Sequence, residues 1–539
     1  MASSPCHSHG IKIPDIYKPL LNIAGDWFTT LVRRRLGQKR RAEKAQARTL
    51  PVLLKTLART KRGKELGLLA KMPAAEFQAK VPLSDHRDLQ PWIERVKTGE
   101  ADLLWSGTCQ CFAATAGTTT GTPRLVPVTD AMQAAYSTGN RAALLHATAR
   151  AGGVYPLLGR VLLLGGNVPT NQLKEDDPFA IADLATLAAI QHPDWIAKHY
   201  FEPDSRIALR RDWDTMVERI LKRTGERDIT TIAGNPQWVL AFAHRVLKAV
   251  NSGKKRKKSL LGLWPDLNCL ALTGDFPSVI RRQLKEIAGR DVMLHEVFAT
   301  TEAIIAAQGP GSLPGLRLLA ETGVYFEFLP VDDYAPADLA NLGPSTLPLS
   351  NVVTDQNYLL VLTTPAGLVR HVTGDVVSFS AVNPPRILPM GQIDLRLNTF
   401  GENLFTRDVI EVLTDLCRRK KWPLSFFHVA PLKSRTELSV NYGCNEWWIE
   451  LQPGTVDTPT GPIIAAELDQ GLQSLHAGYK SRRSHGNLYA PFVRLVMPGA
   501  FEHWLRHNHM WGGPHKLPIT RDDRKIADSL TGMARFAND

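Results

Sequence analysis

The sequence has few cysteines and no long apolar run. Its 539 residues include six cysteines, and no two of them have the Cys-x-x-Cys spacing. This excludes a zinc knuckle and a disulfide framework, and it predicts free thiols in a reducing compartment. No uninterrupted apolar run approaches the roughly 20 residues that a membrane-spanning helix needs. The first residues, "MASSPCHSHGIKIPD", lack the basic and apolar regions of a signal peptide. We therefore expect a soluble protein of the cytoplasm.

Acidic residues are outnumbered by basic ones. The chain has 65 Lys and Arg against 52 Asp and Glu, a net charge of +13. This balance favours anionic partners such as nucleotides, acidic metabolites or nucleic acid, without selecting among them. Much of the excess lies in residues 33–48 and in "KKRKK" at 254–258, and neither cluster is interleaved with the aromatic side chains of a base-stacking platform. We interpret both as solvated surface, and a basic nucleic-acid-binding protein remains an alternative.

The order of apolar segments predicts an α/β fold with two or more domains. Residues 12–100 have the periodicity of helices, whereas the chain after residue 100 has short apolar runs that alternate with helical stretches. "RVLLLGG" (160–166), "DITTIAG" (228–234) and "LNCLALTGD" (267–275) are typical of buried strands. Asn235-Pro236 follows the second run and predicts a helix start. Alternation of this kind favours parallel sheet.

The last third of the chain predicts a smaller α+β domain. Strands are expected in "DVMLHEVFATTE" (291–302) and "GLVRHVTGDVVSFS" (367–380), before a polar, glycine-containing segment at 391–403. After this segment come a helical pattern, "LFTRDVIEVLTDLCRRKK", and strand-like runs around "TELSVNY" and "EWWIELQP". We predict a large N-terminal domain over 1–395, a hinge in 391–403 and a small, mobile domain over 396–539. A boundary near residue 420 is the alternative.

The stretch "TAGTTTGTPR" at 115–124 combines threonine hydroxyls with a flexible backbone. It follows a predicted strand and lacks the G-x-x-x-x-G-K-[ST] spacing of a Walker loop. Its amides and hydroxyls could hold phosphate oxygens in a nest-like geometry. On its residues alone, a Thr/Gly surface loop without function is the favoured interpretation of this stretch.

Each of three later motifs places one charged side chain at the end of a predicted strand or in a loop. "VFATTEAI" (297–304) presents Glu302, whose carboxylate could hold Mg²⁺ because hard cations prefer oxygen ligands. "TGD" places Asp375 after a glycine turn, where a carboxylate can accept hydrogen bonds from ribose hydroxyls. Lys516, in "GGPHKLPIT", could be carried to a phosphate by a flexible loop. Taken singly, Glu302 and Lys516 are better interpreted as solvated side chains, and a Gly-Asp turn is too common to indicate a ribose site.

The order of these four motifs resembles the adenylate-forming superfamily of acyl-CoA ligases, peptide-synthetase adenylation domains and luciferases. Within it, the sequence most resembles the Gretchen Hagen 3 acyl-acid amido synthetases, on segments that include "VPLSDHRDLQPWIERVKTGE", "IAGNPQWVLAF", "GLVRHVTGDVV", "FGENLFTRDVIEVL" and "PGAFEHW". It departs from the family pattern at Ala116, where a serine is usual. It also departs at Arg124 in place of lysine and at Phe298 in place of tyrosine.

The resemblance implies a ligase that uses ATP and Mg²⁺. A carboxylic acid would be adenylated, and its acyl group then transferred to the amine of an amino acid to form an amide. An acyl-CoA ligase with CoA as acceptor is the alternative. As partners the resemblance implies these two small molecules, no nucleic acid and no membrane, and we expect a monomer. The implied catalytic residues are Lys516, Glu302 (also the metal ligand) and Thr301, and the implied ATP-binding residues are Thr115, Ala116, Gly117, Thr118, Thr119, Thr120, Phe298, Thr300 and Asp375.

Overall fold

The structure is a computed structural model, and it describes most of the chain from residue 41 onward. Before that point it describes Thr29, Thr30 and Arg34. The segments outside the described residues are 116–123, 155, 157, 166–178, 185–186, 188–198, 209–211, 226, 252–255, 275–277, 435–441, 453–458, 513–516 and 532–539. The predicted site residues Ala116 to Thr120 and Lys516 therefore lie outside the described part of the chain, as does the predicted strand "TELSVNY" except for Tyr442.

The helices confirm the predicted helical lead-in and the later alternation. The N-terminal part has Arg41–Leu57 (α1), Lys61–Glu65 (α2), Ala74–Lys80 (α3) and His86–Lys97 (α4). The middle of the chain has Asp130–Ala151 (α5), Ser205–Ala208 (α6), Trp213–Thr224 (α7), Pro236–Val250 (α8), Leu260–Leu263 (α9) and Ser278–Ala288 (α10). The last part has Thr406–Lys420 (α11), Gly461–Leu475 (α12), Ala477–Ser484 (α13), Ala500–His507 (α14) and Lys525–Thr531 (α15). As predicted, α8 begins at Asn235, whose side chain accepts a hydrogen bond from the Gln237 amide. In the described part of the chain, no helix is both long and apolar enough to pass through a bilayer.

Strands and three segments of 3₁₀ helix complete the described fold. In chain order the strands are Cys111–Ala114 (β1), Leu125–Pro127 (β2), Arg160–Leu164 (β3), Ala180–Ala182 (β4), Phe201–Glu202 (β5), Ile229–Gly234 (β6), Cys269–Thr273 (β7), Met293–Ala299 (β8), Ile304–Ala307 (β9), Leu316–Leu318 (β10), Tyr325–Pro330 (β11), Leu347–Pro348 (β12), Asn357–Thr363 (β13), His371–Val382 (β14), Pro385–Gln392 (β15), Leu424–Lys433 (β16), Gly443–Leu451 (β17) and Phe492–Val496 (β18). The 3₁₀ segments are Val331–Asp333, Pro336–Ser345 and Ile393–Leu395.

One large mixed sheet organises the chain up to residue 392. Its strand order is β12-β11-β13-β14-β15-β10-β9-β8-β7-β6-β3-β5. Strands β5, β3, β6, β7 and β8 are parallel, as the alternating sequence predicted. From β8 to β12 every neighbouring pair is antiparallel. The apolar faces of α7, α8 and α10 cover the parallel half, where Ile220, Phe242 and Leu284 are fully buried.

Two smaller sheets complete the architecture. The sheet β2-β1-β4 packs against α4 and α5 through Phe112 and Met132. The sheet β16-β17-β18 belongs to the part of the chain after residue 405, together with α11 to α15. This last part has an apolar cluster of its own, in which Leu413, Trp447 and Leu468 are fully buried. The fold is therefore α/β with mixed sheets, as predicted.

Candidate active site

A cavity of about 850 Å³ opens where the large sheet meets the start of α11. The carboxyl ends of the parallel strands β6, β7 and β8 line one side, through Gly234, Thr273 and Phe298. Thr373 of β14 and Thr406 of α11 line other parts of the wall. The carboxyl ends of parallel strands are the usual ligand site in open α/β sheets, and the volume lies within the roughly 300–1,000 Å³ range of small-molecule sites.

Both ends of the Thr/Gly loop lie at this cavity. Thr115 and Arg124 flank the loop, and each lines the cavity wall. The Thr115 amide donates to the Arg124 carbonyl at 2.9 Å, and the Arg124 amide donates to the Thr115 hydroxyl at 2.9 Å. The first of these bonds continues the antiparallel pairing of β1 with β2 by one residue. The Thr115 hydroxyl, which was predicted to bind phosphate, thus also closes the base of the loop.

Thr300, Thr301 and Glu302 form the tight turn between β8 and β9. The Thr300 amide donates to the Ala303 carbonyl at 2.9 Å, and all three turn residues line the cavity. The buried Tyr136 of α5 supports the turn, because its phenol donates a hydrogen bond to the Thr301 carbonyl. α5 can approach so closely because it has glycine at residue 139, where a Cβ would lie 2.6 Å from the Cβ of Ile304.

The Glu302 carboxyl lies in a protected position at this turn. The residue is 8% exposed and lines the cavity. Burial raises the pKa of the Glu302 carboxyl, and hydrogen bonding by Thr300 and the positive charge of Arg124 only partly oppose this rise. Ionisation of Glu302 therefore costs free energy in the absence of a closer cation.

Asp375 reaches the cavity from a β-bulge rather than from a tight turn. Leu359 of β13 pairs with Val376 and Val361 pairs with Val372, so residues 373–375 of β14 lie opposite Leu360 alone. Gly374 has φ +87°, a conformation that glycine adopts at little cost. The Asp375 amide donates to the Thr373 hydroxyl at 3.1 Å, and Asp375 lines the cavity. Bulges of this kind often reorient a side chain beside an active site.

The neighbours of Lys516 reach the same cavity. Lys516 itself lies outside the described residues, whereas Leu517, Pro518 and Ile519, which follow it in sequence, line the cavity. Nδ1 of the buried His428 donates to the Pro518 carbonyl at 2.8 Å. The hydroxyls of Thr406 and Thr520 lie 2.7 Å apart. The segment after Lys516 is thus attached to β16 and to the start of α11.

Arg370, in the segment "GLVRHVTGDVV" that carries the family resemblance, does not line the cavity. Its side chain is fully buried and forms an ion pair with Glu327, also fully buried, at 2.8 Å. It donates further hydrogen bonds to the carbonyls of Gln78 and Gly343. The guanidinium therefore joins α3 and the 3₁₀ segment before β12 to the large sheet, which is a structural role.

Sequence reasoning missed part of the cavity wall. Arg386 of β15 lines the cavity and donates to the carbonyls of Pro310 (2.9 Å), Leu313 (3.1 Å) and Gly315 (3.0 Å). It thereby holds the loop at 310–315, which forms another part of the wall. Arg407 of α11 also lines the cavity. Arg386 lies in none of the segments that carry the family resemblance, whereas Arg407 lies in "FGENLFTRDVIEVL", which could have pointed to it.

Comparisons with known proteins all point to the same protein family. Three family models match this chain, described as the GH3 family N-terminal domain (residues 33–154), the GH3 family central domain (317–388) and the GH3 family C-terminal domain (407–525). Together they match more than half of the sequence. A relative from Oryza sativa subsp. japonica, "Probable indole-3-acetic acid-amido synthetase GH3.12", is 23% identical over 93% of this chain and 94% of its own length. "Jasmonoyl--L-amino acid synthetase JAR4" from Nicotiana attenuata is 22% identical over 62% of this chain and 66% of its own.

Solved structures agree on the fold. "AtGH3.15 acyl acid amido synthetase in complex with 2,4-DB" aligns with a TM-score of 0.71, at 18% identity, over 97% of this chain and 98% of that one. A 2-hydroxyisobutyryl-CoA ligase, in the postadenylation state in complex with 2-HIB-AMP, aligns with a TM-score of 0.59, at 15% identity, over 91% of both chains. The chain therefore has the fold of these enzymes.

Proposed function

The chain belongs to the GH3 family, and from this premise we propose that it is an ATP-dependent acyl-acid amido synthetase. A carboxylic acid attacks the α-phosphate of ATP, which gives an acyl-adenylate and pyrophosphate. The amine of an amino acid then attacks the acyl carbonyl, AMP leaves, and an amide forms. The observation that carries the proposal is that Thr115, Phe298, Glu302 and Asp375 all line one cavity, although they come from the end of β1, the end of β8, the β8–β9 turn and the bulge in β14.

Each of these residues has a chemical task in the first step. The amides and hydroxyls of residues 115–120 hold the phosphates, with the positive charge of Arg124 at the base of the loop. The Phe298 ring, half-buried at the end of β8, offers a face on which an adenine can stack. The Asp375 carboxylate accepts hydrogen bonds from the ribose, and Thr301 contacts the α-phosphate or the acyl group. Because two anions must meet, orientation and charge stabilisation dominate this step.

Glu302 is the proposed ligand of Mg²⁺. Its carboxylate is buried at the cavity and destabilised when ionised, so a bound cation would relieve the cost. Among the described residues, no group of three His, Cys, Asp or Glu side chains could hold a metal ion. This fits Mg²⁺, which is often bound through one or two carboxylates together with substrate phosphates. When bound, the ion would neutralise part of the negative charge of the phosphates.

We further propose that residues 396–539 form a mobile domain that brings Lys516 to the α-phosphate. Leu517, directly after Lys516, lines the cavity, which supports an approach of the lysine from this side. The transferring phosphoryl group gains charge in the transition state, and an ammonium group would stabilise it. Movement of this domain would then open the cavity to the second substrate.

The acceptor is proposed to be an amino acid and the enzyme a cytoplasmic monomer. The named relatives are amido synthetases, which favours an amine over the thiol of CoA.

Exchange of labelled pyrophosphate into ATP tests the first step. Wild-type protein with Mg²⁺ and a panel of carboxylic acids that includes indole-3-acetate and 2,4-DB should exchange only when a suitable acid is present. Lys516→Ala should slow exchange by roughly 10²–10³-fold, as expected for loss of a transition-state contact. Lys525→Ala, which removes an exposed lysine of the same domain, is the matched control. Wild-type exchange in Lys516→Ala would refute the role of this lysine.

A further inference from the structure

We propose that Trp511 is a positioning residue for the adenylation step. Its ring packs against the large sheet domain and thereby positions the segment that carries Lys516. The inference rests on the proposed function, because its effect is exerted through Lys516. The clasp consists of Trp511, from the chain after α14, and of Trp213 and Trp238, from α7 and α8.

The three indole rings form one closely packed group. The Trp511 ring centroid lies 5.7 Å from that of Trp213, at an interplanar angle of 80°. It lies 5.3 Å from the Trp238 centroid, at 86°. Both are edge-to-face contacts, the favourable arrangement for aromatic rings. Among the described residues, the Trp511 indole nitrogen has no hydrogen-bond partner, so ring packing is what holds this side chain.

Neighbouring groups support the same contact. The Arg506 guanidinium lies 4.2 Å from the Trp511 ring centroid and forms an ion pair with Asp214 of α7 at 3.0 Å. Gly512, the next residue, has φ +80°, and a Cβ there would lie 2.3 Å from the Trp213 ring. Only glycine therefore lets the backbone approach Trp213 so closely. The clasp joins residues almost 300 positions apart in the chain.

The clasp lies immediately upstream of the lysine. Between Gly512 and Leu517 there are only four residues, 513–516, and the last of them is Lys516. Leu517 is 3% exposed and belongs to the same apolar cluster as Trp238. The described residues on either side of these four therefore lie at the clasp (Gly512) and at the cavity wall (Leu517).

The described residues on the two sides of this segment differ in their other contacts. Beyond Leu517, the anchors at Ile519 and Thr520 are to β16 and α11, which move with the C-terminal domain. The Trp511 ring contacts Trp213 and Trp238 on helices of the large sheet domain as well as Arg506 of its own domain, and Trp238 also lines the cavity. Loss of the Trp511 ring should therefore leave the C-terminal domain folded and reduce the time that it spends docked for adenylation.

The test separates the two half-reactions. In Trp511→Ala, acid-dependent pyrophosphate exchange should fall at least tenfold, whereas amide formation from the preformed acyl-adenylate and the amino acid should stay within twofold of wild type. Trp511→Phe should retain most of the exchange, because it keeps a ring and loses no hydrogen bond of the described structure. Tyr489→Ala, which removes an exposed aromatic of the same domain, is the control and should change neither step.

A double variant tests whether Trp511 acts through the lysine. If it does, the double variant Trp511→Ala/Lys516→Ala should exchange pyrophosphate no more slowly than Lys516→Ala alone. The reason is that the effects of two substitutions on the same step are not additive when one residue acts through the other. Equal losses in both half-reactions, or additive losses in the double variant, would show a merely structural role and overturn the inference. Wild-type exchange in Trp511→Ala would also overturn it and leave the proposed function intact.

A folding failure of the variant and a failure of the proposed function can both be told apart from a failure of this inference. If Trp511→Ala does not fold, Trp511→Leu replaces it, since leucine keeps apolar volume and removes the ring contacts. If wild-type protein shows no exchange with any acid while Tm rises on addition of ATP, the proposed function fails first, and the inference fails with it.

Discussion

Replacing Arg370 by methionine should destabilise the protein strongly and leave the chemistry of the remaining folded protein unchanged. The guanidinium donates two hydrogen bonds to Glu327, at 2.8 and 3.1 Å, and others to the Gln78 and Gly343 carbonyls, each at 2.8 Å. Methionine has a similar length and can make none of them. In the variant, Glu327 stays fully buried with the Thr346 hydroxyl, 2.9 Å away, as its remaining described donor.

The expected loss follows from the burial of this pair. Removal of one partner from a buried ion pair costs about 3–5 kcal/mol, mainly because the other charge stays buried without compensation. This is a large share of the roughly 5–15 kcal/mol by which proteins are stable. For a chain of 539 residues the unfolding entropy corresponds to about 1 °C per kcal/mol, so Tm should fall by roughly 3–5 °C.

Thermal unfolding and pyrophosphate exchange test this prediction together. The exposed Arg256 offers the control, because Arg256→Met removes a guanidinium without burying anything and should leave Tm unchanged. Exchange by Arg370→Met, measured well below its Tm, should match wild type, since Arg370 does not line the cavity. An unchanged Tm together with lost exchange would refute the reasoning and make Arg370 part of the site.

Three further predictions concern the cavity itself. Glu302→Gln should slow exchange roughly 10²–10³-fold. It should also raise the Tm of the ligand-free protein at pH 8, but not at a pH below the ordinary pKa of glutamate. The reason is that burial raises the pKa of this carboxyl, so its ionised form at high pH opposes folding. A lower Tm of Glu302→Gln than of wild type at pH 8 would contradict this reasoning. Phe298→Ala should raise the KM for ATP about tenfold and Phe298→Tyr should not, because only the alanine loses the stacking face; equal KM values in steady-state assays would exclude stacking. Arg124→Met should weaken ATP binding, measured by calorimetry, and Arg124→Lys should weaken it less, since the charge matters more here than the planar geometry of the guanidinium. Equal ATP affinities of the two variants would exclude a role for the charge.

Much of the fold was predictable because its signals are local. The strands expected at 160–166 and 228–234 are found at Arg160–Leu164 and Ile229–Gly234. Apolar runs between turn residues and the Asn235 cap are short-range features, so one sequence suffices to find them. The extension of the same sheet through antiparallel strands up to β12 was not predicted, since strand pairing depends on contacts between distant segments.

The candidate site was predictable to the extent that it lies in motifs. Thr300, Thr301, Glu302 and Asp375 were chosen from the sequence, and all four line the cavity. The bulge that orients Asp375 was missed, because it is defined by the register of β13 against β14. Arg386 and Trp511 were missed for a similar reason: their roles depend on partners about 70 and 300 residues away.

The most direct test of the central claim is AMP formation from ATP, Mg²⁺ and a carboxylic acid, measured with pooled amino acids and separately with CoA. The account predicts acid-dependent turnover that amino acids stimulate and CoA does not, with one amide formed for each AMP released. Stimulation by CoA alone would contradict it and identify an acyl-CoA ligase. Absence of acid-dependent AMP formation in protein that binds ATP would contradict the adenylation step itself.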